Sequence, residues 1–143
     1  MTLRRYASVC SLIIAIVSAA AFGWAAFAPL PQRANREQPF IIPAGTWQRR
    51  MSGDKVDILP PRIRLTLGIN DVLLLKNQDN VPQTFGPALL MPGQSFRLPF
   101  ERASDYQFAC TAHSSGQMTI IVDPWPASPL ARVRWRVLRL LEP

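Results

Sequence analysis

The chain has 143 residues, 48% of them apolar, with 14 prolines and a formal charge of +7. That length suits one domain with extensions, and the prolines favour strands and turns over long helices. The excess charge sits at the ends, +3 over residues 1–37 and +3 over 124–143, while 38–123 holds eight basic and seven acidic groups. Nucleic-acid binding is therefore excluded, because phosphate recognition needs basic groups clustered on the folded face.

Arg4 and Arg5 precede a charge-free run, Ala7–Leu30. At about 1.5 Å of rise per residue, roughly 20 residues cross a hydrocarbon layer of ~30 Å. The run is long enough to span, and Phe22, Trp24 and Phe27 at its far end suit the headgroup level. Arginines before the span and the bulk of the chain after it predict a cytoplasmic N-terminus and a domain on the extracytoplasmic (periplasmic or outer) side. The competing reading is a cleaved signal peptide with Ala19-Ala20-Ala21 as the cleavage site; the retained anchor is preferred. Ser11, Ala15, Ala19 and Gly23 recur every four residues, so they share one helix face that another transmembrane helix could approach closely. An Ala-rich segment also yields such a stripe by chance. The anchor is assigned to residues 1–30 and a polar linker to 31–38.

A β domain is expected over 39–123. Phe40–Pro43 opens it. Arg62–Leu67 alternates with Ile63, Leu65 and Leu67 inward, and Val72–Lys76 reads as a central strand buried on both faces. Gln94–Phe100, preceded by Pro92-Gly93, alternates through Phe96, Leu98 and Phe100. Asp105–Cys110 alternates through Tyr106 and Phe108, and Gln117–Val122 closes the set. Short strands between Pro and Gly turns predict a mainly β, antiparallel Greek-key sandwich.

The tail, 124–143, begins with a proline-rich connector. Ser128 as N-cap and Pro129 at the first helical position signal a helix start. On that helix Leu130, Val133, Val137, Leu138, Leu140 and Leu141 lie to one side and Arg132, Arg136 and Arg139 to the other, with Arg134 interrupting the apolar face. The expectation is a short basic amphipathic helix against a membrane or a partner; a frayed solvated tail is the alternative.

The chemistry gathers in Phe108–Met118, which sets Cys110, His113 and Met118 on one loop as Cys-x2-His-x4-Met. Thiolate, imidazole and thioether together suit copper. Cys10 falls in the apolar run, so Cys110 is expected as a free thiol. A cysteine at a strand end also reads as a small buried hydrophobe. Asp79, Asp105 and Asp123 show no partner for acid–base work, and Ser114-Ser115 beside His113 lacks a third member, so no enzyme is expected.

The strand, Cys110-x2-His113-x4-Met118, strand arrangement resembles the ligand loop of the cupredoxin family, with plastocyanin and pseudoazurin spacing. The segment Leu75–Gly86 and the Pro92-Gly93 turn are similar to the same family, over about residues 40–122. The resemblance implies a Greek-key cupredoxin-like β-sandwich with a copper cofactor. It assigns Cys110 as thiolate ligand, His113 as imidazole ligand and solvent-edge electron port, and Met118 as axial ligand. The family's first histidine follows a Val-Pro pair, and here Gln83 stands in that place. Copper binding and one-electron transfer, in or beside a membrane electron-transport complex and with a redox partner protein, is the function so implied. The alternative is a copper-free accessory subunit that uses the fold as a scaffold within such a complex.

Overall fold

A computed structural model describes residues 2–31, 35–54 and 57–141, with side chains described from Ser11 onward. Two compact units result: residues 31–125 form one, and residues 1–30 with 126–143 form the other.

The larger unit is mainly β. Two three-stranded sheets are built from β1 (Glu37–Ile42), β2 (Arg62–Thr66), β3 (Val72–Asn77), β6 (Ser95–Pro99), β7 (Ser104–Ala109) and β8 (Gln117–Asp123). One has the order β1-β3-β6 and the other β2-β8-β7. Ile42, Leu73 and Leu75 from the first sheet share a core with Ile63, Leu65, Ile120 and Val122 from the second, so the two sheets form a sandwich. β3 is the middle strand of its sheet, and its nearly unbroken apolar sequence follows from being covered on both faces.

The all-antiparallel expectation is corrected here. β1 pairs parallel with β3, and β2 pairs parallel with β8. The chain crosses to the opposite sheet between β1 and β3, so it re-enters the first sheet running the same way. Two short strands, β4 (Gln83–Phe85) and β5 (Ala88–Leu90), and a one-and-a-half-turn helix, α2 (Thr46–Met51), were not legible in the pattern. β1 also begins inside the expected linker, two residues before Pro39; residues 32–34 of that linker lie outside the described residues.

The smaller unit pairs two helices, α1 (Thr2–Phe27) and α3 (Pro129–Leu141). Among the described residues no helix is long and apolar enough to cross a membrane. The side chains of Arg4, Arg5 and Ala7–Cys10, where the expected span begins, lie outside the described ones. Ser11, Ala15 and Ala19 are exposed and a Cβ built on Gly23 meets nothing within 4 Å, so no described helix of this chain packs on the small-residue stripe.

The tail is helical from the expected position. Ser128 Oγ accepts from the Ala131 N–H at 3.2 Å, the N-cap geometry. The basic side of α3 contributes to its contact with α1. Arg136 turns to the end of α1, donating from Nε to Ala25 O (3.0 Å) and from Nη2 to Ala28 O (2.8 Å) and Pro29 O (3.2 Å), with its guanidinium 4.7 Å from the Trp24 ring centroid. The last carbonyls of a helix lack intrahelical donors, and a guanidinium supplies several in one plane. Leu130 and Leu141 meanwhile remain 71% and 74% exposed.

Candidate metal centre

The short strand β4 brings the distant candidate residues to one end of the sandwich. Phe85 bridges Cys110, the Gly86 N–H donates to Ala109 O (2.7 Å), and the Thr111 N–H donates to Thr84 O (3.1 Å). The ligand loop of the sequence is thereby stitched to the segment that carries Gln83. Gly86 sits at this seam with φ +53°, and an added Cβ would lie 2.7 Å from Phe108 Cδ1. Gly86→Ala is expected to cost about 2–3 kcal/mol, from left-handed backbone strain plus overpacking. Urea unfolding of the full chain in mild detergent would read that loss, and an unchanged midpoint would refute it.

Cys110, Met118 and Gln83 are almost fully buried, at 2%, 1% and 1% exposure, and Cys110 and Met118 belong to the common core. Cys110 is a free thiol. Burial pushes that thiol up, ahead of the opposing pull of the Ala112 and His113 N–H groups and of Arg50. Burial thus favours the neutral thiol over the thiolate, as it does for a small core side chain.

Gln83 is fixed at both ends of its amide. Its Nε2 donates to Asp79 Oδ2 (3.0 Å), and its Oε1 accepts from the Thr111 hydroxyl (2.7 Å), whose oxygen accepts in turn from the Thr84 N–H (2.9 Å). Asp79 serves this amide and the backbone around it. Its carboxylate also accepts from the N–H groups of Trp47 (2.8 Å), Gly45 (2.9 Å) and Asn80 (2.9 Å). It thus supplies a negative charge and two acceptors at the start of α2, where no side chain of the helix caps the free donors. Burial alone would raise the Asp79 carboxyl, but the three backbone donors and the Gln83 amide outweigh it and hold the group below its usual value. Asn77 completes the support: its Oδ1 accepts from the Asp79 N–H, and its Nδ2 donates to Val81 O and Leu90 O, each at 2.9 Å.

His113 is 6% exposed, so the expected solvent-edge imidazole is instead covered. Nδ1 lies 2.9 Å from Ser115 Oγ and 3.3 Å from the Ser115 amide nitrogen, so Ser115 occupies the space in front of it. Nε2 faces Asp57 Oδ2 at 3.5 Å and has no hydrogen-bond partner among the described residues. Asp57 is anchored in turn by the Ser114 N–H (2.8 Å) and lies 3.9 Å from Arg50, while Arg50 donates to Ala112 O (2.7 Å). Hydrogen bonds from Ser114, then the charges of His113 and Arg50, hold the Asp57 carboxyl low despite partial burial.

The residues present do not fit a four-ligand copper centre of the expected kind. The only metal donor of Gln83, its Oε1, is engaged by Thr111, and the two ring nitrogens of His113 lie against Ser115 and Asp57. Among the described residues, no group of three or more His, Cys, Asp or Glu side chains is placed to hold a metal ion. Asp79, Thr111, Asp57 and Ser115 decide this outcome. The run Asn77–Asn80, rich in residues that bond their own backbone, was the one local signal for any of them.

No protein-family model matches the chain, and no curated protein matches it. Among solved structures it is similar to a purple cupredoxin from Nitrosopumilus maritimus, at 19% identity and TM-score 0.44, covering 61% of this chain and 100% of that one. It is also similar to an oxidized single-substitution variant of amicyanin, at 17% identity and TM-score 0.44, covering 64% of this chain and 86% of that one. A third similarity is to amicyanin from Paracoccus versutus, at 18% identity and TM-score 0.38, covering 46% and 71%. The chemistry of the site is accordingly read from its own hydrogen bonds.

Proposed function

We propose that this chain is a membrane-anchored, extracytoplasmic protein whose cupredoxin-like domain serves as a copper-free accessory subunit of a membrane complex. The observation that carries the copper-free part is the Gln83 amide, closed on one side by Thr111 and on the other by Asp79. A hydrogen-bonded polar tie occupies the position where the family resemblance calls for an imidazole, and it joins β4, α2 and the Cys110 loop. Buried, fully partnered networks of this sort rigidify a domain. The anchor rests on the charge-free run Ala7–Leu30 behind Arg4 and Arg5, with Trp24 and Phe27 at its outer end. A rigid domain held at a membrane surface suits docking against other subunits.

The test is a Cu(II) titration of the purified full chain in mild detergent, followed by visible absorption and thermal unfolding. Neither an intense thiolate-to-copper band nor a rise in Tm is expected. A saturable band at one equivalent would overturn the copper-free reading and restore electron transfer.

A second reading is favoured by one observation, the burial of Cys110 and Met118 in a single core cluster. Two soft sulfurs and His113 could hold Cu(I) without a stable Cu(II) state. Competition with a colorimetric Cu(I) chelator separates the two. The copper-free reading expects the chelator to keep all the metal.

A further inference from the structure

The pairing of α1 with α3 leaves an outward surface on α3 whose chemistry is mixed in a particular way. Leu130, Val137 and Leu141 are exposed, and Arg134 projects among them on the side away from Arg136, itself exposed. The described length of α3 contains no acidic residue and four arginines. Arg136 is committed to the carbonyls at the end of α1 and to Trp24, and Arg132 reaches back to Pro126 O. Arg134 has no such role in holding the two helices together.

A protein groove that accepted Leu130, Val137 and Leu141 would have to bury Arg134 with them, and an unpaired buried cation is costly. A bilayer surface offers hydrocarbon and phosphate oxygens side by side, and an arginine on an apolar helix face can lie along the one while reaching the other. The position of the surface agrees with this. Arg136 docks α3 beside Trp24, the ring expected at headgroup level where α1 leaves the hydrocarbon.

We propose that the outward face of α3 binds anionic phospholipid, with Leu130, Val137 and Leu141 in the acyl boundary and Arg134 on the headgroup phosphates. The proposal rests on the anchor reading above and deepens it by naming the ligand class. Arg136 is in this scheme a positioning residue that sets α3 at the depth where the lipid contact is made.

The full chain reconstituted in nanodiscs tests it, with hydrogen exchange of peptides covering Pro129–Leu141 as the readout. Discs of phosphatidylcholine alone are compared with discs that include phosphatidylglycerol, at low and at high salt. Exchange in α3 is expected to slow in the anionic discs and to recover at high salt. One charge near an anionic surface shifts such an equilibrium about fivefold, so Arg134→Gln is expected to remove about that factor from the lipid-dependent protection. Arg134→Leu retains the apolar face and is expected to protect equally in both lipids. Arg136→Gln is expected to lose protection in both.

Protection that is the same in both lipids, or that survives Arg134→Gln unchanged, overturns the lipid assignment and points to a protein partner or a second copy of the chain. Resistance of the chain to alkaline extraction is scored separately. A chain that remains inserted while α3 ignores lipid charge refutes this proposal alone, whereas a chain released by alkali refutes the anchor reading and this proposal with it.

Discussion

An Asp79→Ala variant is expected to lose about 4 kcal/mol of stability, with unfolding of the full chain at clearly lower urea. The side chain is 1% exposed and accepts from Gly45 N, Trp47 N, Asn80 N and Gln83 Nε2. Truncation leaves the part-buried first donors of α2 and the buried end of the Gln83 amide without an acceptor. A donor stranded in this way costs roughly 1–3 kcal/mol, more than the net gain of forming the bond. Asp79→Asn should fall between parent and alanine, because its amide oxygen still accepts while its NH2 opposes the remaining donors. Stability of the alanine variant within about 1 kcal/mol of the parent would refute this account of the network.

The same carboxylate predicts a pH dependence. Its folded pKa is depressed, so the stability it contributes is present above the ordinary carboxylate value of about 3.9 and is lost as pH falls through and below it. The parent should therefore weaken steeply in acid. Because the variant lacks that titrating group, the difference between the two should shrink below pH 4. A gap that stays constant through the acid range would mean that the protonated carboxyl supports the network equally well.

The second large effect concerns the metal position. Gln83→His supplies a second imidazole, and Ser115→Ala removes the hydroxyl 2.9 Å from His113 Nδ1. The double variant is expected to develop an intense visible band with Cu(II), while the parent develops none. Each single variant should give a weaker band, since one still has His113 held and the other still has the amide. The gain comes from Cys110 and Met118, already packed in one cluster at the same end of the sandwich as β4. Metal binding would have to deprotonate the buried thiol, so the band should strengthen with pH. Failure of the double variant to bind copper would mean that the two sulfurs do not converge, and the cupredoxin-like reading of this end of the domain would fall with it.

Much of the sandwich was readable from alternation. Ile63 and Leu65 are inward on β2, and the apolar run of β3 lies between two partners, because a strand's burial is written in its own period. The helix start at Ser128-Pro129 was equally local, since a cap is made within one turn. α2 escaped because a helix of six residues shows no periodicity, and its N-terminal donors are met by Asp79, some thirty residues away in sequence. β4 and β5 escaped because three-residue strands are shorter than one alternation can establish. The direction of β1 and β2 also lay beyond reach, as it depends on which sheet the chain enters after each crossing.

At the candidate centre, sequence by itself determined the donor types at Cys110, His113 and Met118 and the replacement of imidazole by amide at Gln83. Only the tertiary structure decided what those side chains do. Asp79 and Thr111 close on the Gln83 amide, Asp57 and Ser115 flank the His113 ring, and Arg136 turns inward to the end of α1. Most of these join residues distant in the chain; Asp79 reaches Gln83 across four residues, and Ser115 acts through the turn it shares with His113. A ligand pattern records which atoms a loop can offer. Whether those atoms are available depends on the hydrogen bonds that the rest of the fold brings to them.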